Sequence, residues 1–405
     1  MLQNPFLRGL LVMAIFTYGL SSCSSDNSFK DGQIIIRNIQ QLPIDTVAQS
    51  IPFTQVADSI SYVKLAPTQL PVGKIEKIKY ADNKLLVLDT RVSRALFVFS
   101  DSGNFLYKID GEKGQSITDF CIDSSHTNLY VYYANKHQIS AYSFKSGELI
   151  NTIRIQGFFH NVDILGDDVF VLSRDGITKF ENEPKKYNQN RICMFDKSGT
   201  YLKGYMNSPI FPYINYGKMY TVANNAGTAI SIVRLYSDTI YAITKNSMEA
   251  KFNLSLSRKT DLREFYHSQK AQEANQFLQS GNFSGIWGPF FQTSQNIVFY
   301  YTYQSRVYLY WKSLTRGSQF TISYFTNNID GIPDMGSIKQ INQYEAIAVL
   351  LPLDILNANR ATIMAKSPTP NHKLASLAEG LSDYSNPVIA IYHLKSAPKQ
   401  ILANK

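Results

Sequence analysis

The sequence predicts an all-β protein built as a ring of six four-stranded sheets, and three observations support this. Tyrosine and phenylalanine, which favour strands, number 26 and 24 in 405 residues, while apolar residues at helical spacing are scarce. Short apolar runs separated by turn residues recur along the chain in groups of four. The last group is one run short, and a strand-like run near the N-terminus can complete it.

The first three groups show the repeat most clearly. The first, "GKIEKIKYADNKLLVLDTRVSRALFVFSDSGNFLYKID", begins at Gly73, and the next two occupy residues 117–155 and 159–206. A glycine stands at the last turn of each group, where a hairpin needs a positive φ, and the three are Gly103, Gly147 and Gly199. Their spacing of roughly 40 to 50 residues is that of β-propeller blades.

Three looser groups follow at residues 217–256, 286–323 and 337–395. Residues 260–281, "TDLREFYHSQKAQEANQFLQSG", predict a helical insertion before blade five, because a capping residue begins the segment and a glycine ends it. Residues 354–383 predict a helical or irregular insertion in blade six. The run from Ser59 to Ala66 supplies the missing strand and closes the ring against residues 387–395.

The N-terminus predicts export and a lipid anchor. Arg8 is followed by "GLLVMAIFTYGL", an apolar run of signal-peptide length that is too short to span a membrane. The run ends at Leu20-Ser21-Ser22-Cys23, which looks like a lipobox, so Cys23 would carry the lipid. The alternative is an ordinary signal peptide that ends near a cysteine.

The predicted organisation has four parts. These are a lipoprotein signal peptide (1–22), a tether with lead-in strands (23–58), the propeller (59–395) and a C-terminal tail (396–405). The net charge of +9 is spread along the chain and forms no basic cluster, which argues against nucleic acid as a partner.

Five segments carry a resemblance to a known family: "ISYVKLAPT", "VFSDSGNFLYKI", "YSDTIYAITKNSMEAKFNL", "NNIDGIPDM" and "NPVIAIYHLK". In their order and spacing, over roughly residues 40–395, the sequence resembles the six-bladed β-propeller lipoproteins of Bacteroidetes, which are related in fold to NHL-repeat propellers. The resemblance implies an all-β propeller held at the cell envelope. Ser24 after the lipidated position, by resemblance to enterobacterial sorting, favours the outer membrane, on its periplasmic or its surface face.

Catalytic motifs are scarce. The six histidines include no close metal-ligand pair, and only His160 lies near the start of a predicted innermost strand. The resemblance to NHL-type propellers brings zinc-dependent lyases into consideration, but these need histidines from several blades. Serine nucleophile elbows and phosphate-binding loops are absent from the sequence. The leading hypothesis is a binding protein without catalysis or cofactor, and the alternative is a propeller lyase or hydrolase acting on glycan or peptide through residues of the central channel.

Five residues are the candidate binding site at the channel mouth, because they stand at or near predicted innermost-strand starts. Aromatic rings and amides suit a glycan or a protein segment as partner. The candidates are Trp287, Tyr213, Asn215, His160 and Asn161. For Trp287 the alternative is packing between blades five and six.

The segment "NNIDGIPDM" is the densest group of polar side chains. Its oxygens, with Asn328, Asp330 and Asp334 as candidate ligands, suit Ca²⁺. The alternative is a turn, since Asn, Asp and Gly form turns through side-chain to backbone hydrogen bonds without a metal.

We expect Cys23 to be the first residue of the mature protein and to carry the lipid. Mass spectrometry of the mature N-terminus tests this directly. Cys23→Ala should leave uncleaved precursor, because the thiol takes up the diacylglycerol before cleavage, whereas Ser22→Ala should be processed normally. An unmodified chain that begins elsewhere contradicts the assignment.

Overall fold

A computed structural model describes residues 32–44, 49–111, 116–174, 190–207, 219–224, 227–256, 284–304, 306–332, 337–365 and 371–395. Four strands lie before the first complete sheet. They are β1 (Ile34–Ile35), β2 (Gln40–Pro43), β3 (Gln49–Pro52) and β4 (Ala57–Lys64).

Six sheets of antiparallel strands follow, and they confirm the predicted six-bladed β-propeller. In blades 1 to 5 the four strands are consecutive in the chain, and the first strand of each blade is innermost. Blade 1 contains β5 (Lys77–Ala81), β6 (Lys84–Asp89), β7 (Ala95–Ser100) and β8 (Phe105–Asp110); blade 2 contains β9 (Asp119–Ile122), β10 (Asn128–Tyr133), β11 (Gln138–Ser143) and β12 (Leu149–Arg154); blade 3 contains β13 (Asn161–Leu165), β14 (Val169–Ser173), β15 (Asn190–Asp196) and β16 (Tyr201–Asn207). Blade 4 contains β17 (Met219–Ala223), β18 (Ile230–Arg234), β19 (Thr239–Ile243) and β20 (Met248–Ser255); blade 5 contains β21 (Gly285–Gln292), β22 (Asn296–Tyr303), β23 (Arg306–Ser313) and β24 (Gln319–Thr326); blade 6 contains β25 (Ile338–Ile341), β26 (Glu345–Leu350) and β27 (Val388–Leu394), with β4 as its fourth strand.

The middle strands are continuously apolar because both faces of each blade are buried. On β6, Leu85 and Val87 pack against blade 6, while Leu86 and Leu88 pack against blade 2. The buried apolar residues form six clusters in this way, one at each junction between neighbouring blades. Removal of apolar surface from water at these junctions is the main force that holds the ring.

Each predicted turn glycine also lies against the preceding blade. Gly103, Gly147 and Gly199 have φ of 86°, 75° and 84°, the left-handed region predicted for them. A Cβ at Gly103 would lie 2.2 Å from the carbonyl oxygen of Lys64, and one at Gly199 would lie 2.3 Å from that of Arg154. These turns therefore need glycine both for backbone conformation and for the close approach of the neighbouring outer strand.

The ring closes by pairing β4 with β27, as the sequence predicts. The strands run antiparallel in a register that pairs Val388 with Lys64 and Tyr392 with Ile60. Buried Asn386 supports the junction, because its side chain accepts a hydrogen bond from the Val72 amide (2.7 Å) and donates one to the Ala66 carbonyl (2.6 Å).

The N-terminal strands also add to the circumference of the ring. β1 and β2 pair in parallel with β20, and β3 pairs in parallel with β24, so blades 4 and 5 are wider than four strands. Before them, the Gly32 amide donates to the Gly204 carbonyl of β16 at 2.8 Å. This segment covers outer edges that would otherwise present unpaired backbone groups.

The insertion in blade six is helical, as predicted. It contains α1 (Pro352–Met364) and α2 (His372–Ala378), and Ile355 of α1 and Leu374 of α2 are buried against the blade. The helix predicted before blade five lies outside the described residues. In the part of the chain that the structure describes, no helix is long and apolar enough to cross a membrane.

Deletion of residues 387–405 should unfold or aggregate the protein. The deletion removes β27, so it exposes the edges of β4 and β26 and the apolar faces on both sides of blade 6. Thermal unfolding followed by circular dichroism, with light scattering for aggregation, measures the effect. A deletion of residues 396–405 alone is the matched control and should keep the parent transition. Unchanged unfolding of the longer deletion would contradict closure by this strand pair.

Candidate ligand-binding channel

The six innermost strands surround a central cavity of about 1110 Å³. Every blade contributes side chains to its wall, for example Lys77 of blade 1, Asp119 of blade 2 and His160 of blade 3. Trp287 of blade 5 and Gln340 of blade 6 also line it. The cavity is therefore the propeller channel, at the upper end of the volumes that small-molecule sites occupy.

The two ends of the channel differ in the length of the connections around them. We call the end at which the first strand of each blade begins the entry face. Since strands alternate in direction, β14, β16, β20 and β26 all end at this face, and at least 11 residues of sequence separate each from the strand that follows it. The opposite face has only short turns, such as those at residues 82–83 and 342–344. Long connections on a rigid scaffold are where binding residues concentrate, which favours the entry face.

Trp287 lies in the channel wall because β21 is bulged at this point. Ile286 pairs with Tyr301 and Phe290 pairs with Phe299, so the residues between them, Trp287 to Pro289, stand opposite Tyr300 alone. A bulge of this kind changes the direction in which a side chain points. The indole ring is 37% exposed and contacts the ring of Tyr236 at 5.6 Å between centroids.

Two features hold the bulge in place. The Tyr236 amide donates to the Ile286 carbonyl at 2.7 Å, and the Ile286 amide donates to the Ser237 carbonyl at 2.9 Å. A Cβ at Gly285 would lie 2.4 Å from the carbonyl oxygen of Tyr236, so the close approach needs glycine. The ring of Trp287 thus contacts blade 4 through Tyr236, and Trp287 also lines the channel.

His160 and Asn161 line the same channel at the start of β13. The His160 amide donates to the Ser173 carbonyl at 2.8 Å, and its ring contacts Phe158 edge to face at 5.4 Å. The Asn161 amide group donates to the hydroxyl of Ser173 (3.0 Å) and to the carbonyl of Met219 (3.2 Å), which links blade 3 to blade 4. Tyr213 and Asn215 lie outside the described residues.

A cluster of charged side chains, not anticipated in the sequence, crosses the channel between blades 1, 2 and 3. Lys77 donates to both carboxylate oxygens of Asp119, at 2.8 and 3.0 Å, and to the Phe120 carbonyl at 2.8 Å. Lys79, two residues further on the same strand, extends past blade 2 to Asp163 of blade 3, at 3.5 Å. Asp119 also accepts a hydrogen bond from the Val162 amide at 2.8 Å, so it joins blades 2 and 3.

The charges in this cluster depend on one another. Burial lowers the pKa of Lys77, but attraction to Asp119 and Asp163 outweighs burial, so this pKa lies above its usual value. Burial raises the pKa of Asp119, and the neighbouring carboxylate of Asp163 adds to that effect against the attraction of Lys77. The three hydrogen bonds that Lys77 donates require its protonated form.

One feature of the sequence could have indicated this cluster: charged residues in the middle of innermost strands. Innermost strands lie close to the propeller axis, where other strands surround them. A charged residue in the middle of such a strand loses contact with water, so it needs a partner of opposite charge nearby. Lys77 and Lys79 in "KIKYA" and Asp163 in "NVDIL" are such residues. Their pairing partners belong to other blades and could not be assigned without the ring.

Ionic and aromatic residues occupy different parts of the wall. Almost all the Lys, Arg, Asp and Glu residues that line the cavity come from blades 1 and 2. The exception is Lys339 of blade 6. Tyr220 of blade 4 and Trp287, Phe291 and Tyr300 of blade 5 supply aromatic rings on the other side. Tyr80 of blade 1 adds an aromatic ring on the charged side, so a ligand in the channel meets charged groups mainly at blades 1 and 2 and aromatic rings at blades 1, 4 and 5.

Two of the predicted calcium ligands, Asn328 and Asp330, lie in the turn after β24 and are not part of the channel lining. Asp330 accepts a hydrogen bond from Asn327 (2.6 Å), and its other oxygen lies 3.0 Å from the ammonium of Lys373 on α2. Asn328 accepts from the Thr54 amide and donates to the Thr54 hydroxyl, at 3.1 and 2.8 Å. These contacts join the turn to Thr54 and to α2. Asp334 lies outside the described residues, and calcium binding stays a prediction. Over the described ranges, no three His, Cys, Asp or Glu side chains are grouped to hold a metal ion.

The architecture and its channel define a six-bladed β-propeller with a substantial central cavity. Comparison with protein families identifies the chain further. It belongs to the family described as domain of unknown function DUF4934, whose profile matches residues 39–393. No curated protein gives a significant match to the chain.

Solved structures share the fold at low sequence identity. A Bacteroides fragilis protein, named as one expected to be exported, is 15% identical with a TM-score of 0.68, and the match covers 89% of this chain and all of that one. A member of the DUF4221 family from Bacteroides vulgatus is 10% identical over 84% of this chain and 97% of its own, with a TM-score of 0.49. BamB from Moraxella catarrhalis is 12% identical over 72% and 75%, with a TM-score of 0.38. The first of these supports the propeller fold of this chain.

Lys77→Met should destabilise the fold by about 3 kcal/mol, because it leaves the Asp119 carboxylate buried without its partner. The double variant Lys77→Met/Asp119→Leu should recover at least half of the loss, since it removes both charges. Lys74→Met is the control: its pair with Glu76 is 3.9 Å long and the lysine is 60% exposed, so it should cost less than about 0.5 kcal/mol. Urea unfolding at pH 7 measures all three. Equal stability of Lys77→Met and Lys74→Met would contradict a structural role for the cluster.

Proposed function

We propose that this protein is a lipid-anchored propeller of the cell envelope that binds a ligand through the entry face of its channel, without catalysis. The observation that carries the proposal is the position of Trp287. A bulge in an innermost strand holds this large aromatic ring partly exposed on the wall of a cavity of about 1110 Å³. Backbone hydrogen bonds fix the strand that carries this ring, so little conformational freedom would be lost when a ligand binds. Because the ring is partly exposed, it does not serve only to fill the core.

Export and anchoring rest on the N-terminal sequence. The lipobox-like Leu20 to Cys23 supports lipidation at Cys23, after removal of a signal peptide of residues 1–22. The similar Bacteroides fragilis structure, named as expected to be exported, agrees with an envelope location. In this proposal residues 23–58 are tether and lead-in strands, 59–395 the propeller and 396–405 a tail. The anchor places it at the membrane, with the outer membrane as its site.

The channel wall indicates the chemistry of the partner. Trp287, Tyr220 and Tyr300 line the channel with aromatic rings that suit stacking, and His160 and Asn161 add polar groups at the entry face. A glycan, or an extended segment of a protein, offers both C–H faces and hydrogen-bonding groups. The space is large enough for several sugar rings or a few residues of peptide.

An enzyme acting through the channel is the second candidate, and one observation favours it. Two carboxylates, Asp119 and Asp163, meet two lysines and lie in or beside the channel. Each carboxylate is engaged by a lysine, however, and the described residues group no metal ligands near His160. The arrangement is that of a structural or recognition cluster more than of a general acid and base pair.

Trp287→Ala should weaken ligand binding at least about tenfold, since it removes the exposed ring face. Tryptophan fluorescence measures this directly, because Trp287 and buried Trp311 are the only tryptophans, at 37% and 2% exposure. Acrylamide should quench Trp287 selectively, and a bound ligand should protect it. Purified envelope polysaccharides and peptides from envelope proteins serve as probes.

Trp287→Phe is the matched control, and it should keep most of the affinity because it retains an aromatic face. A ligand that binds equally well to wild type and Trp287→Ala would remove the support for this site. Turnover of a glycan or peptide that His160→Ala abolishes would overturn the binding proposal in favour of the enzyme.

A further inference from the structure

We infer that the channel takes an extended segment of a protein, and that a side pocket between blades 5 and 6 binds an aromatic side chain of that segment. This inference rests on the proposed function, because it names the class of partner that the same channel would bind. None of the candidate residues predicted from the sequence lines this pocket. The pocket differs from the channel in its chemistry, adjoins it at the entry face and lies beside the strand that carries Trp287.

The side pocket is a cavity of about 370 Å³ with an apolar and aromatic lining. Its described lining consists of aromatic and aliphatic residues and two serines, and includes no Lys, Arg, Asp, Glu or His. The channel, in contrast, presents both signs of charge, mainly at blades 1 and 2. A charged group would lose water in the pocket without gaining a partner of opposite charge, so the pocket suits an apolar group.

Stacked aromatic rings contribute to the pocket wall. Phe53, which follows β3, stacks on Phe325 of β24 and on Tyr392 of β27, at 4.4 and 4.8 Å between ring centroids. All three rings belong to the buried apolar cluster at the junction of blades 5 and 6, so the pocket is a gap in this junction. Protein interiors are close-packed, and an incoming apolar group would restore contacts that a gap lacks. The rings of the wall favour an aromatic group, because aromatic pairs attract one another beyond the area that they bury.

The side pocket adjoins the channel at the entry face. Four residues line both spaces, namely Tyr300, Val307, Ser337 and Ile338. Tyr300 and Val307 lie close to the turn between β22 and β23, and Ser337 lies just before β25, which places them at the entry face. We call Val307 and Ser337 the ridge. Val307 is 44% exposed and Ser337 is also exposed, so a ligand at the entry face can reach both spaces across the ridge.

Trp287 lies close to this pocket on the same blade. The bulged residues Trp287 to Pro289 stand opposite Tyr300, which lines the pocket, and a Cβ at Gly288 would lie 3.4 Å from the Cβ of Tyr300. Neighbouring strands are about 4.8 Å apart, and an extended chain advances about 3.3 Å per residue. Side chains only a few residues apart on one extended segment can therefore reach Trp287 and the pocket together.

An extended protein segment fits each part of this surface. Its backbone offers donors and acceptors to the polar groups of the channel, and an apolar side chain can leave the backbone and enter the pocket. A sugar ring carries hydroxyls around its edge, and a hydroxyl that is buried without a hydrogen bond is costly. The side pocket therefore favours a protein segment over a glycan as the partner.

The test uses the full mature protein and pools of fluorescein-labelled hexapeptides that contain no tryptophan. One position in each pool is fixed as phenylalanine, leucine, serine, lysine or aspartate, and the other positions are mixed. Fluorescence anisotropy measures the apparent affinity without using Trp287 as the reporter. The phenylalanine pool should bind at least about tenfold more tightly than the serine, lysine and aspartate pools, with the leucine pool between them. Trp287→Ala should weaken binding of the phenylalanine pool about tenfold.

Two substitutions on the ridge address the side pocket. Val307→Arg and Ser337→Arg each place a cation where the pocket meets the channel, and each should weaken binding of the phenylalanine pool at least about tenfold. Leu314→Arg is the matched control, because Leu314 is 40% exposed on the same blade and lines neither cavity. It should change the affinity less than about threefold. A melting temperature within a few degrees of wild type shows that a variant is folded, and if one ridge variant is unstable, the other and the ranking of the pools decide the question.

The outcomes separate the two proposals. The inference is overturned if no pool binds, if the pools bind without preference for phenylalanine, or if both ridge variants keep that preference at full affinity. A purified envelope polysaccharide that needs Trp287 for binding and is unaffected by Val307→Arg and Ser337→Arg also overturns it, and leaves the channel as a glycan site. Ligand binding that is independent of Trp287 overturns the proposed function itself.

Discussion

The pairing of β4 with β27 is the contact on which the rest of this structure depends. A blade of a propeller buries both of its faces, so each needs a neighbour on either side. A linear row of six blades would leave one face of the first and one face of the last exposed to water. Because β4 comes from the N-terminal side of blade 1 and pairs with β27, the last of the described strands, closure joins blade 6 to the start of the ring by backbone hydrogen bonds.

Closure of the ring also creates the channel, and charged side chains inside it need hydrogen-bonding or ionic partners. Six strands directed at one axis bring together side chains that are distant in sequence, and charged groups among them lose much of their contact with water. Lys77 and Asp119 satisfy each other's charge by forming an ion pair. Gln340 satisfies its polar groups by hydrogen bonds to the backbone of the next blade. Its amide accepts from the Tyr80 amide (2.7 Å) and donates to the Tyr80 carbonyl (3.3 Å), so that it joins blade 6 to blade 1. The polar groups inside the ring thus reinforce the junctions that the apolar clusters form outside it.

The N-terminal strands lie along the circumference of the ring. Gly32 contacts β16 and the strands β1 to β3 run along blades 4 and 5, so the chain joins the propeller at its circumference. The bulged strand that carries Trp287 and the longer connections belong to the entry face of the channel.

The sequence by itself determined the features that depend on local pattern. Apolar runs gave the strands, glycines such as Gly103 and Gly199 marked turns with positive φ, and the counting of runs predicted that Ser59 to Ala66 would complete blade six. It also placed Trp287 and His160 correctly near the starts of innermost strands, because a position within a blade follows from the order of strands.

Only the tertiary structure decided which residues meet across blades. Lys77 is 42 residues from Asp119, and Lys79 is 84 residues from Asp163; nothing in the spacing of either pair specifies contact. The addition of β1, β2 and β3 to blades 4 and 5 was equally hidden, since short polar strands resemble a tether. Alternation of side chains along a strand is a property of the local backbone. Distances across the channel are set by the number and tilt of all six blades together, so they exist only once the ring has closed.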